Sequence, residues 1–298
     1  MKNVVYLGKK MAHNWESVLE RYEDYLKTTR ARLSVESYMG DLRLFLEWLG
    51  GRGEDNPTAV TPLDASEYRR FLADKGYKPA TINRKIQSLR AFYGWLQEAG
   101  IVPDNPFRRT KAVPAQELAP RWLTRPEQAA LMRAVRAKGR LRDEAMIALM
   151  LFAGLKVGEL VALEREDVVV RERSGKVVVR QGKGNKRREV PLNATARDIL
   201  RRWLEENPTG PLWPSQKGGR LSKRQVQKIV EDCAYIAKLK DVTCHKLRHT
   251  FCKNLLDAGV SIDQVAAMAG HSRLDVTKRY TVPSMQDLQE AVERTSWE

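Results

Sequence analysis

Residues 243–280 read TCHKLRHTFCKNLLDAGVSIDQVAAMAGHSRLDVTKRY, and the rest of the chain falls into place around them. His245 and Arg248 stand three apart, which on a helix puts both on one face and within reach of one anion. Arg offers a planar fork of donors matched to phosphate, and His can donate or move a proton near neutral pH. Gly270-His271 come next, and Tyr280 lies nine residues beyond His271. A hydroxyl nucleophile near such a cluster points to attack on a phosphodiester. The apolar spacing predicts a helix through His245, a second over 261–269 and a short third over 275–280.

Other chemistry is open to the same residues. Tyr280 can serve simply as packing at a helix end. His245 and His249, at i and i+4, can ligate zinc together with Cys252 or Cys244. The segment H-K-L-R-H lacks the Glu of H-E-x-x-H, however, and the cations Lys246 and Arg248 between the ligands disfavour a metal.

The tract resembles the catalytic signature of the tyrosine recombinase (phage-integrase) family, simple Xer-type members above all. His245-Lys246-Leu247-Arg248 matches H-x-x-R, Ala269-Gly270-His271 matches L-G-H except for its Leu, and Tyr280 stands at the nucleophile. Further upstream, Gly154-Leu155-Lys156-Val157-Gly158-Glu159-Leu160 resembles G-L-R-x-x-E-L, with Lys156 where the first Arg belongs. Lys keeps the charge but loses the bidentate fork. The departure predicts slowed turnover with DNA binding retained. By resemblance Glu159 orients the site.

Apolar runs at 168–170, 176–179 and 189–192, separated by turn residues, predict a small antiparallel sheet. Between the second and third lies Gln181-Gly182-Lys183-Gly184-Asn185-Lys186, which reads equally as a basic β-turn. It is no Walker P-loop, because the spacing fails and a strand follows. The resemblance implies that Lys183 is the family's hairpin lysine, acting as general acid on the leaving 5′ oxygen.

Taken together, the resemblance implies transesterification. Tyr280 attacks the phosphate to leave a 3′-phosphotyrosyl link and a free 5′-OH, while Arg248 and Lys156 neutralise the non-bridging oxygens. His245 and His271 donate hydrogen bonds or assist proton transfer. No metal, ATP or other cofactor is required. The implied partner is double-stranded DNA with inverted half-sites, bound by a homotetramer, or by a heterotetramer with a related recombinase.

On the N-terminal side, helices are predicted over Asn14–Arg30, from Ser34 to Gly50-Gly51, from Thr61-Pro62 onward and over Pro79–Glu98, with aromatic and aliphatic residues inward. Tyr22, Tyr25, Tyr38, Phe45, Phe92 and Tyr93 are among those inward positions. The polar face of the last helix carries Arg84, Lys85, Gln87, Ser88 and Arg90. It reads as a solvated face, or, by resemblance, as DNA contacts. Lys223, Arg224 and Gln225 carry the same two readings.

Pro103, Pro106, Pro114 and Pro120 interrupt helix formation, and Arg108, Arg109 and Lys111 lie among them. They predict a basic linker over 106–121, between an all-α core-binding domain, 1–105, and a catalytic domain, 122–298. Such a linker would let the two domains close on a duplex as a C-shaped clamp. The second domain opens on the capping box Thr124-Arg125-Pro126-Glu127, and helices are predicted over 145–153, 195–205 and 223–238. A last amphipathic segment from Ser284, with Met285, Leu288 and Val292, reads by resemblance as a contact with a neighbouring protomer. The fold class is therefore mainly α with a small antiparallel β-sheet.

Composition agrees with a nucleic-acid partner. The 298 residues carry 53 Lys and Arg against 37 Asp and Glu, a formal charge of +16. Neutralised phosphates release counterions and supply affinity independent of sequence. Charge alone does not separate DNA from RNA. The start, MKNVVYLGKKMAHNW, has no signal-peptide apolar region, and no run approaches a membrane span of ~20 residues. Three cysteines without a CxxC pair fit a reducing cytoplasm, and the resemblance implies association with the nucleoid. The rival functions are a DNA-binding protein that has lost cleavage, and a metal-dependent nuclease.

Overall fold

The computed structural model describes residues 15–30, 32–53, 56–114, 121–180, 187–215 and 219–271, together with 277, 289, 292–293 and 295–296. The chain divides into two compact units, Met1–Glu117 and Leu118–Glu298. The described residues are mainly helical, with one small antiparallel sheet, which is the fold class that the sequence predicts.

The first unit is built on α1 (Trp15–Thr29), α2 (Arg32–Gly50), α3 (Pro62–Asp74) and α4 (Pro79–Glu98). Thr61 caps α3 in a reciprocal box with Asp64, and Pro62 occupies its first turn, where a missing N–H costs nothing. The core is aromatic. Phe45 meets Tyr68 edge-on at 4.9 Å and Phe107 at 5.4 Å, and all three are fully buried. Edge-to-face contacts of this kind add to what burial alone contributes. The hydroxyl of Tyr93 donates to the carbonyl of Pro57 at 2.9 Å.

Three details differ from the sequence prediction. Helix α2 starts at Arg32 rather than after Ser34, its first turn bridged by the ion pair Arg32–Glu36. Tyr25, expected inside, is 42% exposed, because Tyr22 on the same helix fills the core site. The stretch expected to be a linker from residue 106 is docked onto α4 as far as 113. Phe107 is buried in the aromatic core, Arg90 donates to the carbonyls of Phe107 and Thr110, and Asn83 exchanges two hydrogen bonds with Val113. Prolines forbid a helix here, but they do not stop Phe107 from anchoring the strand of chain.

The second unit surrounds α6 (Leu141–Phe152), against which α5 (Arg125–Ala137), α8 (Ala194–Glu206) and α10 (Cys244–Asp257) pack. Its residues from 143 to 151 are all buried, as befits an apolar central helix. It begins at Leu141, four residues before the expected start, because buried Asp143 and Glu144 find partners in Arg142 and Arg136. Strands β1 (Val168–Val170), β2 (Gly175–Val179) and β3 (Arg188–Pro191) form the sheet in that order, with Val177 opposite both Val168 and Val190. Helices α7 (Val157–Val161), α9 (Lys223–Ile236) and α11 (Ile262–Ala269) complete the described part. No described helix is long and apolar enough to cross a membrane. The expected helix over 275–280 and the segment from Ser284 lie outside the described residues, apart from isolated positions.

Candidate active site

Helix α10 starts where Thr243 accepts a hydrogen bond from the Lys246 N–H, at 3.1 Å. That cap starts the helix so that His245 in its first turn is exposed and Arg248, one turn later, is turned into the protein. Arg248 is 1% exposed, and its Nη1 donates to the Gly154 carbonyl at 2.6 Å while Nη2 donates to that of Ala269. One guanidinium thus joins the loop after α6 to the end of α11.

Gly154 takes φ +63°, and a Cβ there would lie 2.2 Å from the Phe251 ring. Only glycine lets this turn approach α10 so closely. Two residues on, Lys156 precedes α7, and its backbone N–H donates to Glu159 Oε2 at 2.9 Å. The Lys156 ammonium stands 3.5 Å from Glu159 Oε1. Lys156, Val157, Gln227, Glu231, Thr243, Cys244, His245 and Arg248 line a cleft of about 320 Å³.

Helix α11 ends at Gly270, whose φ of +65° gives it a left-handed cap. The next residue, His271, holds its Nδ1 2.8 Å from the hydroxyl of Thr277, which is buried. Burial, and then the cations Arg248, Lys156 and Arg188 with His245, push the His271 imidazole down to about 4. His271 is therefore neutral at pH 7 and works as a hydrogen-bonding group rather than a charge. Burial also lowers the Lys156 ammonium; Glu159 opposes that shift, while Arg248 and Arg188 add to it.

Arg188 is the residue that the sequence analysis missed. From β3 it grips Glu159 with two bonds, Nη1 to Oε1 at 2.9 Å and Nη2 to Oε2 at 2.7 Å, and its Nε donates to the Met268 carbonyl at 2.9 Å. Burial alone would raise the Glu159 carboxyl, yet the bonds from Arg188 and from the Lys156 N–H hold it below the usual carboxylate range. A signal was present: alternate strand residues share a face, so the inward Val190 implies an inward Arg188. Placing the third strand at 189–192 left that arginine in the turn.

The structure therefore brings together Lys156, Glu159, His245, Arg248 and His271. Tyr280 and Lys183 lie outside the described residues. Of the residues expected on DNA, Lys223 and Arg224 are exposed, while Gln225 also closes a capping box with Ser222. Gly158 leaves room for the Lys223 side chain, which passes over the start of α7. On α4, Arg84 and Gln87 are exposed and Arg90 is half-buried. Lys85 and Ser88 depart from a solvated face: both are buried and bond to the carboxylate of Asp41, at 2.9 and 2.8 Å. Arg84 holds the same carboxylate, with one of its bonds at 2.8 Å. A buried charge needs such partners, and Asp41 draws them in.

Residues 121–287 match the model described as "Phage integrase family", and residues 19–100 the "Phage integrase, N-terminal SAM-like domain". The chain is similar to proteins named tyrosine recombinase XerC. It is 30% identical to that of Mycobacterium leprae, over 89% of this chain and 94% of the relative. To that of Staphylococcus carnosus it is 34% identical, over 76% and 78%. Among solved structures, the XerA recombinase crystal structure aligns at TM-score 0.54 and 25% identity, over 95% of this chain and 99% of that one. XerH site-specific recombinase bound to palindromic difH substrate, in a post-cleavage complex, aligns at TM-score 0.76 and 22% identity, over 92% and 83%, a likeness of fold.

Proposed function

This chain belongs to the phage integrase family, the tyrosine recombinases, and we propose that it cuts and rejoins duplex DNA at specific sites through a phosphotyrosyl intermediate. The observation that carries this is the convergence of Lys156, His245, Arg248 and His271 on one part of the second unit. Lys156, His245 and Arg248 line one cleft, and such side chains suit a phosphate whose charge rises in the transition state. The first unit, with exposed Arg84 and Gln87, and the exposed Lys223 and Arg224 of α9 supply contacts to the duplex.

In this mechanism the Tyr280 oxygen forms a bond to the scissile phosphorus as the bond to the 5′ oxygen breaks. Lys183 delivers a proton to that leaving oxygen, and Arg248 and Lys156 stabilise the non-bridging oxygens. Neutral His271 and the exposed His245 donate hydrogen bonds to the phosphate, and one of these imidazoles takes up the proton that the Tyr280 hydroxyl releases. The 5′-OH then attacks the phosphotyrosyl bond of a partner strand, releasing Tyr280. Bond energy is conserved, so neither ATP nor a metal is consumed. By family resemblance we take the assembly to be a tetramer on two duplexes with inverted half-sites, acting at the nucleoid. Lys156 makes each cleavage slower than an Arg would.

A second function keeps DNA binding and loses efficient cleavage, and Lys156 is the observation in its favour. Incubation with fragmented genomic DNA in EDTA, followed by denaturation and sequencing of protein-linked ends, separates the two. Covalently held ends are expected from the recombinase. Tight binding with no adduct would support the second function, and cleavage abolished by EDTA would indicate a metal-dependent nuclease.

A further inference from the structure

We infer that Arg188 is a positioning residue for cleavage: by occupying both oxygens of Glu159, it keeps that carboxylate from capturing the Lys156 ammonium. The inference rests on the recombinase function proposed above and adds to it a residue outside the signature motifs.

Glu159 is a buried carboxylate beside two cations. Its side chain is 6% exposed, and Arg188 and Lys156 both reach it. Their geometries differ. Arg188 meets it fork to fork at 2.9 and 2.7 Å, an arrangement that satisfies both oxygens in one plane. Lys156 stands off at 3.5 Å, with its side chain 38% exposed toward the cleft. The carboxylate therefore orients Lys156 through its backbone N–H, at 2.9 Å, while its ion pair with the ammonium is longer than either bond to Arg188.

Arg188 is itself held in place. Its Nε bond to the Met268 carbonyl fixes one edge of the guanidinium, and the bare Cα of Gly270 makes room for the other. A Cβ at Gly270 would come within 2.8 Å of Nη1. The same glycine leads directly into His271. Glu159, Lys156 and His271 are thus connected through one guanidinium.

Without Arg188, a buried carboxylate would need another cation, and Lys156 is the one already poised. Its ammonium would move onto Glu159 and away from the phosphate. Removing the carboxylate's charge at the same time should release it. That reciprocal behaviour distinguishes positioning through charge from a structural brace.

The test measures the rate of covalent adduct formation on captured target DNA for the parent, Arg188→Gln, Arg188→Lys and Glu159→Gln, for the double variant Arg188→Gln/Glu159→Gln, and for Arg188→Lys/Glu159→Gln. Noncovalent DNA binding and thermal melting are measured on each. Arg188→Gln is expected to lower the adduct rate by roughly 10- to 100-fold, less than the ~10²–10³ that outright removal of a transition-state donor costs, because Lys156 is displaced and not deleted. DNA affinity should hold. The double variant should recover at least about tenfold over Arg188→Gln, and Arg188→Lys should fall between that variant and the parent. Parental rates in Arg188→Gln, or a double variant no faster than Arg188→Gln, would overturn the inference. If Arg188→Gln does not fold, an Arg188→Lys rate unimproved by Glu159→Gln overturns it as well. A parent that forms no adduct at all would instead contradict the proposed function.

Discussion

Arg248 Nη1 donates to the Gly154 carbonyl at 2.6 Å, so the arginine of the H-x-x-R helix is bonded to the first residue of the G-L-K turn, 94 positions earlier. Two motifs far apart in the chain are thereby joined through one side chain and one backbone oxygen. The bond depends on how closely that turn can approach α10, and this depends on glycine.

Gly154→Ala should therefore be more damaging than Gly270→Ala. Both positions have left-handed φ, which costs any other residue about 1 kcal/mol or more. At Gly154 the new Cβ would collide with the buried Phe251 ring at 2.2 Å, whereas at Gly270 it meets the end of Arg188 at 2.8 Å. Denaturant unfolding should show a loss of about 3 kcal/mol or more for Gly154→Ala, as expected for core overpacking added to backbone strain. Gly270→Ala should lose less stability, yet slow adduct formation by displacing Arg188.

Lys156→Arg should increase the rate of covalent adduct formation by about tenfold or more, by restoring two-point contact with the phosphate. DNA affinity at fixed salt should change little, since the charge is the same. Single-turnover measurements on captured target DNA separate these outcomes. A rate unchanged by the substitution would mean that Lys156 already serves fully.

Asp41→Asn should destabilise the first unit. Asp41 is 3% exposed and holds Lys85, Ser88 and Arg84. Lys85, its side chain 10% exposed, would be left with a buried charge above the Tyr77 ring. Breaking a buried pair from one side costs about 3 kcal/mol; the Arg84 bonds add little, since that side chain is 48% exposed. Urea unfolding would report the loss.

The pH dependence of the second unit has a defined sign. In the folded protein the His271 imidazole is pushed down to about 4, from 6.5 in the unfolded chain. As pH falls through 6.5, the unfolded chain binds a proton that the folded one refuses, so stability is full above 6.5 and declines toward 4. The lowered Glu159 carboxyl adds a loss that begins only below its ordinary value of 4.5. His271→Gln should flatten the upper part of that decline. An NMR titration of His271 with its inflection near 6.5 would contradict the account.

Much of this was legible in the sequence for local reasons. The capping residues Thr61, Thr124 and Ser222 each lie three positions before a matching side chain, and the helices begin there. Short apolar runs separated by turn residues predicted the sheet, and the spacing of His245 and Arg248 placed both on α10. What escaped was decided by tertiary contacts. Lys85 and Ser88 looked like a wet face because their partner, Asp41, lies more than forty residues away. Phe107 sits among prolines and basic residues, so its place in the aromatic core was hidden by its neighbours. Arg188 falls at a strand boundary, where a shift of one residue decides whether a side chain points in or out.

The proposed chemistry turns on Tyr280 becoming covalently joined to DNA. The most direct measurement is to incubate the protein with its captured target DNA in EDTA, digest with nuclease and protease, and map the nucleotide-bearing peptide by mass spectrometry. The account predicts a nucleotide-3′-phosphate on Tyr280, and no adduct with Tyr280→Phe while DNA binding persists. An adduct on another residue, or one that survives Tyr280→Phe, would contradict it.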